Sequence, residues 1–559
     1  MAVKTSLTIS LILYYVIPSL ITGIAYGWEV GSMGGILAMP QFLNYMGTPS
    51  DFRQGLMTAA MIAGEIVGSL FVGFIFADRF GRKPTIFVSI ALYLGGQVIL
   101  VAAQNQAMFI VGRAINGLGA GPWFQTISFH DARLFKSLTK ESYTAEITPP
   151  RIRGRVTATL NSGIALGILI AYWIQYGALN ISGNAAWRLC FSLQLVPGVI
   201  VGAIMFWRPE SPRWLVQSGR DDQALLVLAN LHGKGDINNE FVRAEFAEIR
   251  TVVQLENSSE APSYLKLIID KEFRRRTGLA MGLQCMQQLS GANIVLYYAA
   301  KVFAQTGRTG PSAALLANGI SSALLLVATT SLTIMIDYYG RRKPIFLGPI
   351  AMGSCLLVVA SLLVRFGAPH FDQTTQAIQF TFENTSAGEA ALAFMFLFQV
   401  SFGALSSSLP WTYQSEVFPI IARARGTSLA VTANYFTNFW LGLYIPEALN
   451  TASWKLYFIF AGINFGCALI GYLFYPETTG RSLEELDLLF TPDRSIWVFL
   501  DKPAKKKISF AGQEAEIDPE RLANELDKDH VFKKTTFISG GEQINDKAAQ
   551  DVMHQEITR

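Results

Sequence analysis

The chain has 559 residues, 51% of them hydrophobic and only 15% charged, with a mean hydropathy of +0.32. A composition this apolar excludes a soluble enzyme of this size. The net charge of +4 is modest, and the basic residues flank apolar runs instead of gathering in a patch, which excludes a nucleic-acid partner.

Apolar windows of about 20 residues, the length a bilayer core demands, fall at 8–30, 56–77, 85–103, 107–129, 156–178, 188–207, 278–300, 312–336, 344–366, 389–412, 427–448 and 454–475. They predict an all-α membrane protein of twelve transmembrane helices, with the lipid bilayer as its surroundings. Arg79, Arg82, Lys83, Arg151, Arg153, Arg155, Arg341, Arg342, Lys343, Arg423 and Arg425 fall in alternate loops. By the positive-inside rule, a multi-pass protein of the cell membrane with both termini cytoplasmic is expected. No short cleavable signal pattern opens the chain, so the first apolar segment is expected to be retained. Cys190, Cys285, Cys355 and Cys467 lie inside spans without metal-ligand spacing, so neither a disulfide framework nor a metal site is expected.

In the first span, Gly27-Trp28-Glu29-Val30-Gly31 places a carboxylate in an apolar run. A buried acid is costly when ionised, so Glu29 reads either as a proton carrier or as the permanent partner of an arginine. Glu65, between Gly64 and Gly68 in the second span, is a lower-ranked proton-site candidate in a small-xxx-small seam. Next comes Asp78-Arg-Phe-Gly81-Arg82-Lys83, echoed later as Asp337-Tyr-Tyr-Gly340-Arg341-Arg342-Lys343. Glu146 with Arg151, Arg153 and Gly154 is echoed by Glu416 with Arg423, Arg425 and Gly426. Pro209-Glu210-Ser-Pro-Arg213 is echoed by Pro476-Glu477-Thr-Thr-Gly-Arg481.

Three pairs in the same order predict a six-span unit used twice in parallel, at 1–207 and 278–490. A charged cytoplasmic linker, 208–277, would join them, helical over 239–256. A polar tail, 491–559, is expected to be disordered. The motif charges Asp78, Arg82, Glu146, Arg153, Glu210, Arg213, Asp337, Arg341, Glu416, Arg425, Glu477 and Arg481 are expected to pair across the two units as a cytoplasmic gate that locks the outward-facing state. An exposed pair is worth only about 0–1 kcal/mol, so such a gate needs a network.

The richest stretch is 287–303, which carries Gln287, Gln288, Ser290, Asn293, Tyr297 and Tyr298 in an apolar run. Each polar side chain needs a partner in hydrocarbon, so the cluster reads as facing a wet cavity; the alternative is interhelical glue. Gly291 is placed to break the helix there. Amides and phenols without charge suit a neutral, hydroxyl-rich molecule.

On the Asp78-to-Lys83 motif, Arg113 with Gly117 and Gly119, Pro209-to-Leu215, Gln287-Gln288…Asn293…Tyr297-Tyr298 and Pro476-to-Arg481, the sequence resembles the sugar porters of the major facilitator superfamily, most of all fungal members, over residues 10–490. The resemblance implies two six-helix units that alternate access to a midplane site. It implies that Gln287, Gln288, Asn293 and Tyr297 bind sugar hydroxyls, with Asn318, Asn434 and the Ser162 position nearby and Trp411 stacked on the ring. It also implies that Glu29 carries a proton, modulated by Arg113. The expected protein is a secondary active sugar transporter, acting as a monomer with sugar and proton as its partners and with no cofactor, metal or catalytic constellation.

Some positions depart from that family. Ser162 stands where a glutamine is usual, Ser407-Ser408 where Gly-Pro is usual, and Tyr435 where many members have tryptophan; Glu29 replaces the commoner aspartate. These changes keep a second reading open, a transporter of a polyol, quinate or another small polar metabolite; a rival of a different class is a non-transporting sugar sensor that signals through its tail. Residues 130–143 are extra and charged, either a cytoplasmic loop insertion or an artefact such as a retained intron. The sequons at Asn180 and Asn384 fall in loops expected to be extracellular and glycosylated, whereas Asn257-Ser-Ser259 is a cytosolic chance match.

Overall fold

The computed structural model describes residues 17–70, 76–128, 153–233, 235–257, 262–297, 311–372, 377–479, 481, 483–491, 495–501 and 504. Hydrocarbon offers backbone groups no water, so each apolar run closes its own hydrogen bonds as a helix. The spans are Ile17–Ile36, Asp51–Gly68, Arg82–Val101, Gln106–Ser128, Arg153–Ala178 and Ala185–Ser192 continued by Leu195–Phe206. The second set is Lys271–Leu289 continued by Ala292–Tyr297, Pro311–Tyr339, Arg342–Phe366, Thr385–Leu405 continued by Leu409–Val417, Ile420–Ala452 and Trp454–Phe474. Glu29 and the flanking glycines lower the hydropathy of the first span, which shifted its expected window toward the N-terminus; the helix runs on to Ile36.

Among the described residues, the third, sixth, eighth, ninth, tenth and twelfth spans are apolar and long enough by composition alone to cross a membrane. The others are less apolar and bury, among other polar groups, Glu29, Glu65, Arg113, Gln175, Gln288 and Asn434. Large apolar side chains such as Val98, Val199, Val327 and Leu469 are exposed on the outer faces, the inverse of a soluble protein and the pattern a lipid-facing surface requires.

Within the first half, the first span packs on the fifth and the second on the fourth. Small residues form these seams: a Cβ on Gly27 would collide with the Ile164 carbonyl, and one on Gly64 with that of Ala114. The second half pairs the seventh span with the eleventh and the ninth with the twelfth. The halves meet where the second span packs on the eleventh, the fifth on the eighth and the first on Ala292–Tyr297.

Between the halves, Glu240–Asn257 lies within one residue of the helix expected at 239–256, accompanied by Asp221–His232 and two shorter helices. A two-stranded antiparallel hairpin, Gly367–Asp372 with Ala377–Phe382, follows the ninth span and was not foreseen. The extra segment 130–143, with Glu146, lies outside the described residues.

Packing also continues beyond the expected boundary at 490. Val498 and Ala504 are buried with Leu486, Leu489 and Phe490 against Leu283, Tyr413 and Tyr475. Arg276 pairs with Asp487 at 2.7 Å, and the Val498 N–H donates to the Leu473 carbonyl at 2.8 Å. Residues 495–501 and Ala504 therefore strap the ends of the seventh, tenth and twelfth spans. Ending the chain after Phe490 should remove the buried Val498 side chain, worth about 1.5–3 kcal/mol, and lower surface abundance. Ending it after Ile508 should leave abundance unchanged, as quantified by fluorescence of a tagged chain.

Candidate functional site

The seventh span breaks at the expected place. Its first helix ends at Leu289, Gly291 takes φ +90°, and a second short helix begins at Ala292. That backbone conformation favours glycine, and the ring of Phe460 occupies the side a Cβ would take. Around the break, four amides of the seventh span meet the eleventh. Gln288 Nε2 donates to Asn434 Oδ1 at 2.7 Å, and Asn434 Nδ2 donates to Gln284 Oε1 at 2.7 Å and Gln287 Oε1 at 3.2 Å. Asn293 Nδ2 donates to Gln288 Oε1, and to Asn438 Oδ1 at 2.6 Å. Gln287 Nε2 donates to the Ser407 carbonyl at 2.7 Å, where the tenth span breaks before Leu409. Gln284 Nε2 reaches Gln414 Oε1 at 2.9 Å.

Seven amides thus form one connected network. Gln284, Gln414 and Asn438 were missed in the sequence. Gln284 lies one helical turn before Gln288 and Asn438 one turn after Asn434, so amides repeating at i and i+4 are the signal in the sequence.

The other expected substrate residues cluster unevenly. Asn318 is buried, and neither its Nδ2 nor its Oδ1 has a hydrogen-bond partner among the described residues. An amide so placed is suited to water or a ligand. Trp411 is half-buried beside the main core. Ser162, on the fifth span, accepts a hydrogen bond from Thr330 of the eighth at 3.3 Å, so this short side chain joins the two halves. Tyr297 ends the short helix of the seventh span; its side chain, and all of Tyr298, lie outside the described residues.

The second centre lies in the first half. Glu29 and Arg113 are 1% and 2% exposed and form an ion pair. Arg113 Nε also donates to the Met57 carbonyl at 3.3 Å, which fixes the guanidinium between the first and second spans.

The motif charges form two matched clusters, one per half. Glu210 accepts from the backbone N–H groups of Arg82 (3.1 Å), Lys83 and Ser211, at the start of the third span. Burial pushes its carboxyl above the usual carboxylate range, against the pull of those N–H groups and of Arg82. In the second half, Glu477 accepts from the N–H groups of Arg341 (2.8 Å) and Arg342 (3.1 Å) at the start of the ninth span. Glu416 receives Arg341 Nη2 at 2.7 Å.

These contacts stay inside each half; the pairing across the halves is expected of the outward-facing state, and this structure is closed at the opposite end. Within each half the helix N-terminus holds the glutamate, because its unpaired N–H groups and dipole attract the nearest carboxylate. Arg213 and Arg481 are buried near these clusters, and Arg425 donates to the Pro262 carbonyl at 2.7 Å. The side chains of Asp78, Arg153 and Asp337 lie outside the described residues.

Gly81 and Gly340 hold φ of +106° and +83°, and a Cβ at either would meet the glutamate carboxylate. Gly340→Ala should therefore lower stability by about 1–3 kcal/mol, read as a lower unfolding temperature of the purified protein. An unchanged transition would refute this account of the turn.

At the ends away from the basic loops the halves touch. Tyr172 donates to the Leu296 carbonyl, and Asn450 to Asp51. The structure is thus closed on that side.

The family model described as sugar (and other) transporter matches residues 15–490, both repeats together. The chain belongs to that family. A sugar (and other) transporter is not an enzyme, and its fold is the twelve-helix major facilitator arrangement. Among similar proteins are a high-affinity glucose transporter of Kluyveromyces lactis, 34% identical over 85% of this chain and 84% of that protein, and a glucose transporter of Aspergillus flavus, 36% identical over 86% and 90%. The solved structure of the xylose transporter XylE from E. coli in an inward-open conformation has a TM-score of 0.65 at 21% identity, covering 86% of this chain and 99% of that one.

Proposed function

We propose that this transporter moves a sugar across the plasma membrane by alternating access, coupled to proton symport through Glu29. The observation that carries the reading is the division of labour between the halves. The second half holds an uncharged amide network suited to hydroxyl groups, and the first holds a buried Glu29–Arg113 pair. The glucose-transporter names of the Kluyveromyces and Aspergillus relatives support a hexose. A neighbouring structure described as a proton:xylose symporter bound to 6-bromo-6-deoxy-D-glucose supports coupling.

Sugar would displace water from Gln287, Gln288, Asn293, Asn318 and Asn434 and stack on Trp411. With the halves closed at the Tyr172–Leu296 end, the site opens toward the basic loops, which we place in the cytoplasm with both termini. The motif clusters at Glu210 and Glu477 brace each half as it rocks. The chain would work as a monomer surrounded by lipid. A polyol is the second reading, favoured by Ser162, whose hydroxyl is shared with Thr330 where a longer side chain would reach the substrate.

Uptake of labelled glucose in a transporter-null yeast, with and without a protonophore, tests this. Uptake abolished by the protonophore is expected. Protonophore-insensitive uptake would remove the coupling, and no uptake by surface-localised protein would remove the hexose. In the proposed topology the exposed Asn180 and Asn384 face outward, so glycosidase should shift the mobility of the wild-type chain and not of the Asn180→Gln/Asn384→Gln chain. No shift in the wild type would count against that orientation.

A further inference from the structure

The second span buries a carboxylate that the pairing of Glu29 with Arg113 does not use. Glu65 is 1% exposed, on a face pressed against Gly117 and Gly121 of the fourth span. Its side chain is hydrogen-bonded to Tyr26 of the first span, and it lies within electrostatic reach of both Glu29 and Arg113. Glu29 Oε2 and Glu65 Oε1 have no hydrogen-bond partner among the described residues. A small cavity lined by Tyr26, Glu29, Tyr93 and Trp123 reaches the first acid.

The charges do not balance. In the first six spans, Arg53, Arg82, Lys83, Arg153, Arg155 and Arg188 stand near helix ends, which leaves Arg113 as the cation at this depth. The elements packed on the second span supply no other. The fourth gives Arg113, and the eleventh has no ionisable side chain between Arg425 and Glu447 except Tyr435 and Tyr444. The first contributes Glu29 and Tyr26, and the third adds Tyr93. On its own helix Glu65 shares only Asp51 and Arg53, at the far end. Two ionised carboxylates beside one guanidinium would leave a net negative charge out of water, which is far costlier than one carboxylate, one carboxylic acid and one guanidinium.

We propose, resting on the proton-coupled reading, that Glu65 is a second proton-binding group and that Glu29 and Glu65 share one proton beside Arg113. The two acids hold one proton between them, with no covalent bond other than the O–H made or broken, and the pair titrates as a unit. Whichever acid is ionised takes the arginine, and the other is neutral. Loss of either acid leaves a single carboxylate facing a single cation, which holds its proton less tightly.

The test is the pH profile of sugar uptake in transporter-null yeast for the full-length chain and for Glu29→Gln, Glu65→Gln and the double variant, normalised to surface protein. Each single variant is expected to keep a pH-dependent uptake whose midpoint moves at least tenfold in proton concentration toward acid. The double variant should lose pH dependence and concentrative uptake while retaining sugar exchange between the two sides. A flat profile in Glu29→Gln overturns the sharing, because Glu29 is then the sole site. A wild-type profile in Glu65→Gln overturns it equally, because Glu65 is then structural. Should Glu65→Gln fail to reach the surface, the Glu29→Gln profile decides alone. Wild-type uptake that is itself pH-independent overturns the proton-coupled reading and the shared site together, and is distinguishable from the other outcomes.

Discussion

Replacing Arg113 with leucine should cost about 3–5 kcal/mol of stability, the range for breaking a buried ion pair by removing one partner, and should abolish concentrative uptake. The reason is the environment rather than the count of hydrogen bonds. Arg113 and Glu29 are both essentially inaccessible, so the carboxylate left behind gains no water in exchange. Arg113 also bridges helices, since its Nε holds the Met57 carbonyl while its Nη1 meets Glu29. Arg113→Lys keeps the charge but loses the planar fork, and should fall between the two. Thermal unfolding of purified protein and uptake per surface molecule read the two effects. A leucine variant that unfolds at the wild-type temperature and still accumulates sugar would refute the pairing as a structural and coupling element.

Asn434→Ala should raise the KM for sugar by roughly 10- to 100-fold, with a smaller change in kcat. Asn434 is the hub that orders the amides of the seventh span. Its Oδ1 accepts from Gln288, and its Nδ2 donates to Gln284 and Gln287. Removing it leaves two or three buried amide groups without partners, at about 1–3 kcal/mol for each, and about 1.4 kcal/mol corresponds to a factor of ten in affinity. The loss falls on binding because these side chains are the proposed contacts to sugar and are not the proton site. Initial rates over a range of sugar concentrations separate KM from kcat. A variant with unchanged KM and reduced kcat would place the network in the conformational change instead.

Much of this site was legible because a bilayer punishes polar residues. Glu29, Glu65, Arg113, Gln287, Gln288, Asn293 and Asn434 stand out in apolar runs, and each is found buried or half-buried. The glycine break at Gly291 was legible too, since a helix that carries its amides past a glycine has an inexpensive place to turn. Gln284, Gln414 and Asn438 escaped notice because a single amide is ordinary, and only the meeting of three spans makes them one network. The hairpin at Gly367–Phe382 escaped because short strands between spans carry a weak alternation beside the hydropathy of the helices. The strap of 495–501 and Ala504 escaped because the five apolar residues from Ile496 to Leu500, far fewer than a span needs, do not look like a core until Tyr413 and Tyr475 face them.

By itself, the sequence determined the number and order of the spans, their repetition in two halves, the linker helix and the identity of the buried acids and amides. Those features are local: hydropathy over one helix length, a glycine at a turn, and a repeated motif are all written along the chain. Pairing was decided only by the tertiary structure. Glu210 and Glu477 turned out to cap the helix of their own half, because a carboxylate settles on the nearest unpaired N–H groups, and those are set by how six helices close on one another. The placing of Glu29 and Glu65 around one Arg113 is likewise a fact of three dimensions. Nothing in the spacing of those residues along the chain states that three helices bring them to the same depth.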